Sequence, residues 1–138
     1  MKFLTKRTDG GPDSNVMGYW LIEWKSLFSI ALLRFSEGSR EAYHNHAFNS
    51  ISWVLWGHIR ERRQRPTAVG WTIWRATDFK PSFKPIITTR NNMHKVFGIA
   101  PATWVLTFRG PWDKTWKEQF NNGGEVTLTH GRKVVNGG

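Results

Sequence analysis

Short runs in which hydrophobic and polar residues alternate follow one another along the chain, separated by turn-forming residues. The runs VMGYWLIEW (16–24) and SLFSIALLRF (26–35) come first and are followed by the turn SEGSRE. Further runs are AYHNH (42–46), SISWVLWGHIRE (50–61), GWTIWRA (70–76), FKPSFKP (79–85), HKVFGI (94–99) and TWVLTFRG (103–110). Strands at this spacing, divided by Gly, Pro and Asn, are typical of a β-sandwich or barrel. The sequence therefore predicts an all-β fold.

Three segments depart from this pattern. Residues 1–15 are polar and glycine-rich and predict a loose lead-in, while residues 131–138 predict a frayed tail. The segment PWDKTWKEQF (111–120) is the best candidate for a helix. No internal repeat or low-complexity linker divides the rest, so we expect a single domain over residues 16–130.

Charge and composition narrow the class of protein. The 138 residues include 20 Lys and Arg against 10 Asp and Glu, a net charge of +10, and nine tryptophans. This charge favours anionic partners, with solubility alone as the alternative, and the longest basic cluster, RERRQR (60–65), is too short to suggest a groove for a nucleic-acid polymer. The absence of cysteine excludes disulfides and thiolate metal sites. The sequence shows neither an apolar run of membrane-spanning length nor a signal-type stretch. We expect a cytoplasmic protein without a membrane partner, and a homodimer is compatible with the sequence.

Two of the five histidines, His44 and His46, stand one residue apart. In a strand, residues i and i+2 point to the same side, about 7 Å apart along the backbone. Two such imidazoles can converge on one ion, and His94, at the head of a later strand, is the best candidate for a third ligand. Imidazole suits Zn, Fe, Ni, Cu and, with less preference, Mn. The alternative is a pair of surface or hydrogen-bonded histidines, because His-x-His alone is a weak signal.

The spacing of these histidines resembles the sequence pattern of a known protein family. His-x-His, a β run that ends in Gly and a later His form the pattern of the cupins, which are small double-stranded β-helix (jelly-roll) barrels with a metal inside. More narrowly, the chain is similar to small single-domain cupins of phages and bacteria, over about residues 20–118. The positions that carry this resemblance are His44, His46, Asn49, Ser52, Leu55, Gly57, Ile59, Glu61, His94, Lys95, Trp104, Leu106, Gly110 and Trp116. The resemblance implies a divalent transition metal (Zn, Fe, Mn or Ni) held by the three histidines.

The chain departs from the cupin pattern at its acidic residues. The usual cupin glutamate would fall near Ser50 or Ile51 and is absent, and Asn49 stands where the narrower family has Asp. This implies a three-histidine site with open positions for water or ligand. Asn49 would orient that water or substrate. Glu61 would replace the missing carboxylate if a bulge at Gly57 turned it inward, whereas the alternative is a surface ion pair with Arg62 or Arg63.

Several other side chains are candidates for ligand binding. Arg60, Arg75 and Arg109 flank strands expected at the barrel mouth, where they would hold a phosphate or carboxylate, and the alternative for each is solvent exposure. Ser52 would help to orient the ligand. Trp104 is a candidate ligand contact, with a place in the core as the alternative.

Three functions stay open. The first is a hydrolase that acts on a nucleotide or other phosphoester through metal-activated water. The second is a three-histidine non-haem iron dioxygenase for a small acid or thiol, since cupins without the glutamate include such enzymes. The third is a non-catalytic cupin that sequesters a small anionic, nucleotide-like ligand, which in a phage would be a host signalling molecule.

Overall fold

The computed structural model describes residues 1–9, 14–38, 42–44, 46–66, 72–90, 93–112, 115–120, 125–129 and 133–137. In these ranges the secondary structure is entirely β, which confirms the predicted class, and no described segment forms a helix able to cross a membrane. The strands are β1 (Lys2–Thr8), β2 (Val16–Trp24), β3 (Phe28–Gly38), β4 (Ala42–His44), β5 (Ser50–Trp56), β6 (Ile59–Pro66), β7 (Thr72–Phe79), β8 (Ile86–Thr88), β9 (His94–Arg109), β10 (Thr115–Phe120), β11 (Glu125–Thr129) and β12 (Lys133–Gly137).

Strand β9 lies at the centre of the sheet and pairs with four other described strands. All strand pairs among the described residues are antiparallel, and the main path runs β1-β2-β3-β9-β4-β10-β11-β12. Along one edge, β9 pairs with β3 and then β4, and along the other edge it pairs with β5 and then β6. Strand β7 continues the sheet beyond β6, and β8 continues it beyond β5. Residues far apart in the sequence therefore meet on β9.

The core lies on the inner faces of these strands, and alternation along each strand decides which side chains reach it. In β3 the buried positions Ala31, Leu33 and Phe35 alternate with more exposed ones. The buried apolar cluster as a whole consists of Trp20, Ala31, Leu33, Phe35, Val54, Ile59, Ile86 and Val105. Burying side chains of this size contributes about 1.5–3 kcal/mol each.

The inner face of β9 is partly polar. Thr103, Thr107 and Arg109 are buried there beside Val105, with exposures of 0%, 2%, 4% and 3%. The apolar residues between them, such as Phe108, lie on the opposite face. Hydrophobicity therefore does not identify the inner face of this strand, although it does so for β3.

Gly57 makes the tight connection between β5 and β6. Its φ is +97°, in the region that side chains with a Cβ rarely adopt. A Cβ there would lie 2.4 Å from the Thr103 hydroxyl and 2.6 Å from the Ala102 carbonyl oxygen. The backbones of the turn and of β9 approach each other so closely that only glycine fits.

The structure has strands in both chain ends and in the segment predicted as a helix. The predicted loose lead-in contains β1, which pairs with β2 from Lys2 opposite Glu23 to Thr8 opposite Met17. The predicted frayed tail contains β12, which pairs with β11. The helix prediction at 111–120 is wrong, because residues 115–120 form β10, which pairs with β4 on one side and β11 on the other. In each segment, pairing with a neighbour outweighs weak local preference.

Candidate metal centre

Two of the three predicted histidines meet side chain to side chain. His94 opens β9, and His46 lies two residues beyond the end of β4. The Nε2 atoms of their rings are 2.8 Å apart, and the rings meet edge to face at 83°. His44 lies directly opposite His94 in the β4–β9 pair, although its side chain is outside the described residues. The backbone thus brings all three predicted ligands to one place.

His46 reaches this position differently from the prediction. The sequence predicts a strand over 42–46, but β4 ends at His44. Packing on the buried ring of Phe48 orients the His46 imidazole, because the two rings stack at 4.9 Å with an interplanar angle of 25°. Phe48 is in turn covered by the guanidinium of Arg109, 4.6 Å from its centroid. Sequence analysis missed Phe48, which had no signal beyond being an aromatic residue near a histidine pair.

Glu61 holds His94 from the other side. Its carboxylate is buried, with 3% of the residue exposed, and Oε2 lies 2.6 Å from His94 Nδ1. Oε1 accepts a hydrogen bond from Nε of Arg63, two residues further along β6. The sequence left two alternatives for Glu61, an inward position or an ion pair with a neighbouring arginine. In the structure both occur together. Glu61 contacts the ring of His94, so in this structure it supports a histidine.

Burial alone would raise the pKa of Glu61, but hydrogen bonds and charge from His94 and Arg63 outweigh it, so the pKa lies below its usual value. Glu61 is therefore an anion near neutral pH and accepts hydrogen bonds from both neighbours. A carboxylate acceptor at His94 Nδ1 places the proton on that nitrogen. In the neutral form of the ring, the lone pair is then on Nε2, the nitrogen that faces His46.

This arrangement fits a divalent transition metal. A histidine that ligates a metal commonly donates its other ring N–H to a carboxylate, as His94 does to Glu61. Two nitrogens about 2.1 Å from one ion and at right angles are about 3.0 Å apart, close to the observed 2.8 Å. Among the described side chains no group of three or more potential ligands gathers at one point. His44 therefore stays the predicted third ligand.

Comparisons with known proteins address the fold. No protein-family model and no curated protein matches the chain. A sugar phosphate isomerase of the cupin superfamily from Silicibacter pomeroyi matches with a TM-score of 0.60 and 14% identity, over 96% of this chain and 88% of its own. A cupin superfamily protein from Desulfitobacterium hafniense matches with a TM-score of 0.54 and 13% identity, over 75% and 84%. The structure of Fe(II) HppE matches with a TM-score of 0.59 and 10% identity, over 76% of this chain and 55% of its own.

The chain has a cupin fold. This confirms the jelly-roll barrel that the histidine pattern implied. At these identities the likeness shows the fold alone, so what the site does has to be argued from its own residues.

One predicted ligand-binding arginine lies beside the candidate metal centre of the cupin barrel. Arg75 on β7 is directly opposite Arg63 on β6, and Arg63 is directly opposite His94 on β9. Arg75, Arg63 and Glu61 line one pocket with a volume of about 220 Å³. Arg63 was predicted only as a candidate ion-pair partner. Its i, i+2 relation to Glu61 was the available signal, because both then lie on one face of β6.

The other two predicted arginines are engaged in ion pairs. Arg60 lies on the exposed face of β6 and binds Asp78 through Nε at 2.6 Å and Nη2 at 3.1 Å. This contact raises the pKa of Arg60 and lowers that of Asp78. Arg109 is buried and paired with Asp9, from Nη2 to Oδ2 at 2.6 Å. Arg109 therefore reaches the candidate centre only through Phe48, and Arg60 faces away from Glu61.

The remaining predicted residues make structural contacts. The side-chain oxygen of Asn49, an exposed residue, accepts a hydrogen bond from the Arg90 backbone N–H at 2.9 Å. The Ser52 hydroxyl donates to Thr107 Oγ1 at 2.9 Å between β5 and β9. Trp104 lies on the outer face of β9 and packs on Tyr19 with a centroid distance of 5.7 Å. The structure does not bring Trp104 to the histidines, and the proposed roles of Asn49 and Ser52 stay predictions.

Proposed function

We propose that this protein is a metal-binding cupin that acts on a small anionic ligand. The observation that carries the proposal is the hydrogen bond between buried Glu61 and His94 Nδ1, which directs the opposite nitrogen of the ring at His46. A buried carboxylate that fixes one histidine tautomer is an arrangement that metal sites use. The net charge of +10 and the arginines beside the centre support an anionic ligand.

The favoured activity is hydrolysis of a small phosphoester. When bound, a divalent ion would supply an acidified water and polarise a phosphoryl oxygen. The chain itself would keep His94 oriented through Glu61 and would attract the phosphate through its arginines. The similarity to a sugar phosphate isomerase supports a ligand that carries phosphate, while the reaction of that protein is not assumed here.

An iron dioxygenase is the second candidate. One of the structures that share the fold is a protein in its Fe(II) form. Histidine ligands without a carboxylate ligand are compatible with Fe(II), and an open coordination position would accept a small acid or thiol. Oxygen uptake in the presence of Fe(II) separates this activity from hydrolysis.

Elemental analysis of protein purified without an affinity tag tests the proposal. We expect about one equivalent of a divalent transition metal in the parent protein and its loss in H46A and H94A. H58A is the matched control, because His58 lies 3.5 Å from Asp78, an exposed carboxylate. Equal metal content in all four proteins would contradict the site. A panel of phosphoesters and small acids, with oxygen uptake followed in parallel, then distinguishes the two activities, and retention of a ligand without turnover would indicate a binding protein.

A further inference from the structure

Backbone pairing aligns a row of residues that extends from the candidate metal centre across four strands. The register places His44 opposite His94, His94 opposite Arg63, and Arg63 opposite Arg75. Directly opposed residues of antiparallel strands point to the same face, with Cβ atoms about 4.5–5.5 Å apart. Arg75 is thus two strands away from His94, within reach of one small ligand that spans both.

The two arginines of this row differ in how they are held. Arg63 donates from Nε to Glu61 and from Nη2 to the Ile87 carbonyl oxygen at 2.9 Å and to Thr88 Oγ1 at 3.4 Å. The side chain of Arg75 makes no hydrogen bond or ion pair within the part of the chain that the structure describes, and the residue is exposed. Arg63 is therefore a fixed cation, whereas the donors of Arg75 are available.

The described side chains that line the pocket carry more positive than negative charge. Like charges directly opposite each other in a sheet are destabilising. Among the described residues that line the pocket, Glu61 alone is acidic, and its single charge is shared by Arg63 and His94. An anion between the two guanidinium groups would remove this repulsion and accept charge-assisted hydrogen bonds.

The pocket is small but partly open to solvent, so it favours a compact ligand without enclosing it. Its volume of about 220 Å³ is below the roughly 300–1,000 Å³ of sites that enclose drug-sized molecules. Apolar side chains, including Phe79 and Ile86, form part of its wall. The pocket suits a compact molecule with one anionic group.

We propose that Arg75 and Arg63 form an anion subsite that binds the phosphate or carboxylate of a ligand smaller than a nucleotide. This inference rests on the proposed function, because it places the other end of the same ligand at the histidines. It narrows the ligand class from nucleotides to small phosphoesters and carboxylates.

Calorimetric titration with inorganic phosphate tests the subsite. We expect R75M to bind phosphate about ten- to a hundredfold more weakly than the parent, as for the loss of a hydrogen bond to a charged group. R34M is the matched control, because Arg34 is exposed on the outer face of β3 and loses the same charge. We expect its affinity to change less than twofold. Unchanged binding in R75M, or an equal loss in R34M, would overturn the subsite.

Metal content, measured on the same samples, separates the subsite from the proposed function. If the parent protein contains metal and R75M binds phosphate as tightly as the parent, the metal centre is supported and the subsite is refuted. If phosphate binding depends on Arg75 but the protein takes up no metal, the subsite is supported and the metal centre is refuted. Titration with AMP tests the size limit, which is wrong if AMP binds more tightly than inorganic phosphate.

Discussion

Replacing Glu61 with glutamine tests the hydrogen bonds around the candidate metal centre most directly. The carboxylate receives hydrogen bonds from two donors, His94 Nδ1 and Arg63 Nε. Glutamine offers one acceptor oxygen and turns an NH₂ group towards the other partner. If that partner is His94, its ring must place the proton on Nε2, where it blocks the lone pair that faces His46.

The expected size of the effect follows from the burial of these groups. Glu61 is 3% exposed, while the side chain of Arg63 is 26% exposed and keeps some solvent. Loss of one charge-assisted hydrogen bond should lower the free energy of unfolding by about 1.5–3 kcal/mol. Loss of a carboxylate that orients a ligating histidine should weaken metal binding about 10- to 100-fold.

Competition titration with a chelator gives the metal affinity, and urea denaturation gives the stability. E23Q is the matched control, because Glu23 is also a buried carboxylate paired with an arginine, Arg7, but it does not contact the histidines. It should lose stability and keep its metal affinity. If E61Q binds metal like the parent, Glu61 does not orient His94 for a metal, and our interpretation of this hydrogen bond is wrong.

Three further substitutions test other parts of the structure. H46A should lose the metal and keep a cooperative unfolding transition, and failure of the variant to fold would mean that the ion or the ring supports the fold. D9N leaves Arg109 buried without its anion and should lower the free energy of unfolding by about 2–4 kcal/mol. A loss below about 0.5 kcal/mol would contradict the importance of this ion pair. G57A forces a Cβ against Thr103 at positive φ and should lower the free energy of unfolding by about 2–4 kcal/mol, measured by thermal or urea denaturation. Unchanged stability would show that the turn can relax.

Most strands could be predicted because their side chains alternate in polarity, and the histidine spacing identified three candidate ligands. The sequence could not reveal β1 or β10. The first, KFLTKRT, is rich in charge and lies beyond a glycine-rich segment, and the second has an amphipathic pattern that also suits a helix. Their strand form comes from hydrogen bonds to distant partners, which no local pattern contains.

The site was predicted less completely than the fold, for reasons visible in β6 and β9. Trp104 was a candidate ligand contact, but on β9 Thr103 and Thr107 occupy the inner face. Arg63 was predicted only as a candidate ion-pair partner of Glu61, because its position in the site depends on register with His94 and Arg75. Pairing partners in a sheet are set by tertiary structure, so single-sequence reasoning identifies candidate ligands and misses the groups that contact them.

The central position of β9 has a consequence for how the chain folds during synthesis. This strand begins at His94, after β3, β5 and β6 have been made, and it supplies the hydrogen-bonded neighbour of all three. Until it emerges, those strands have open edges, which are prone to pair with other chains. Contacts between residues this far apart in the sequence also slow folding, to milliseconds or longer in β-rich domains. The site then forms in a late step of folding, when the arrival of β9 brings His94 to the glutamate and arginine of β6.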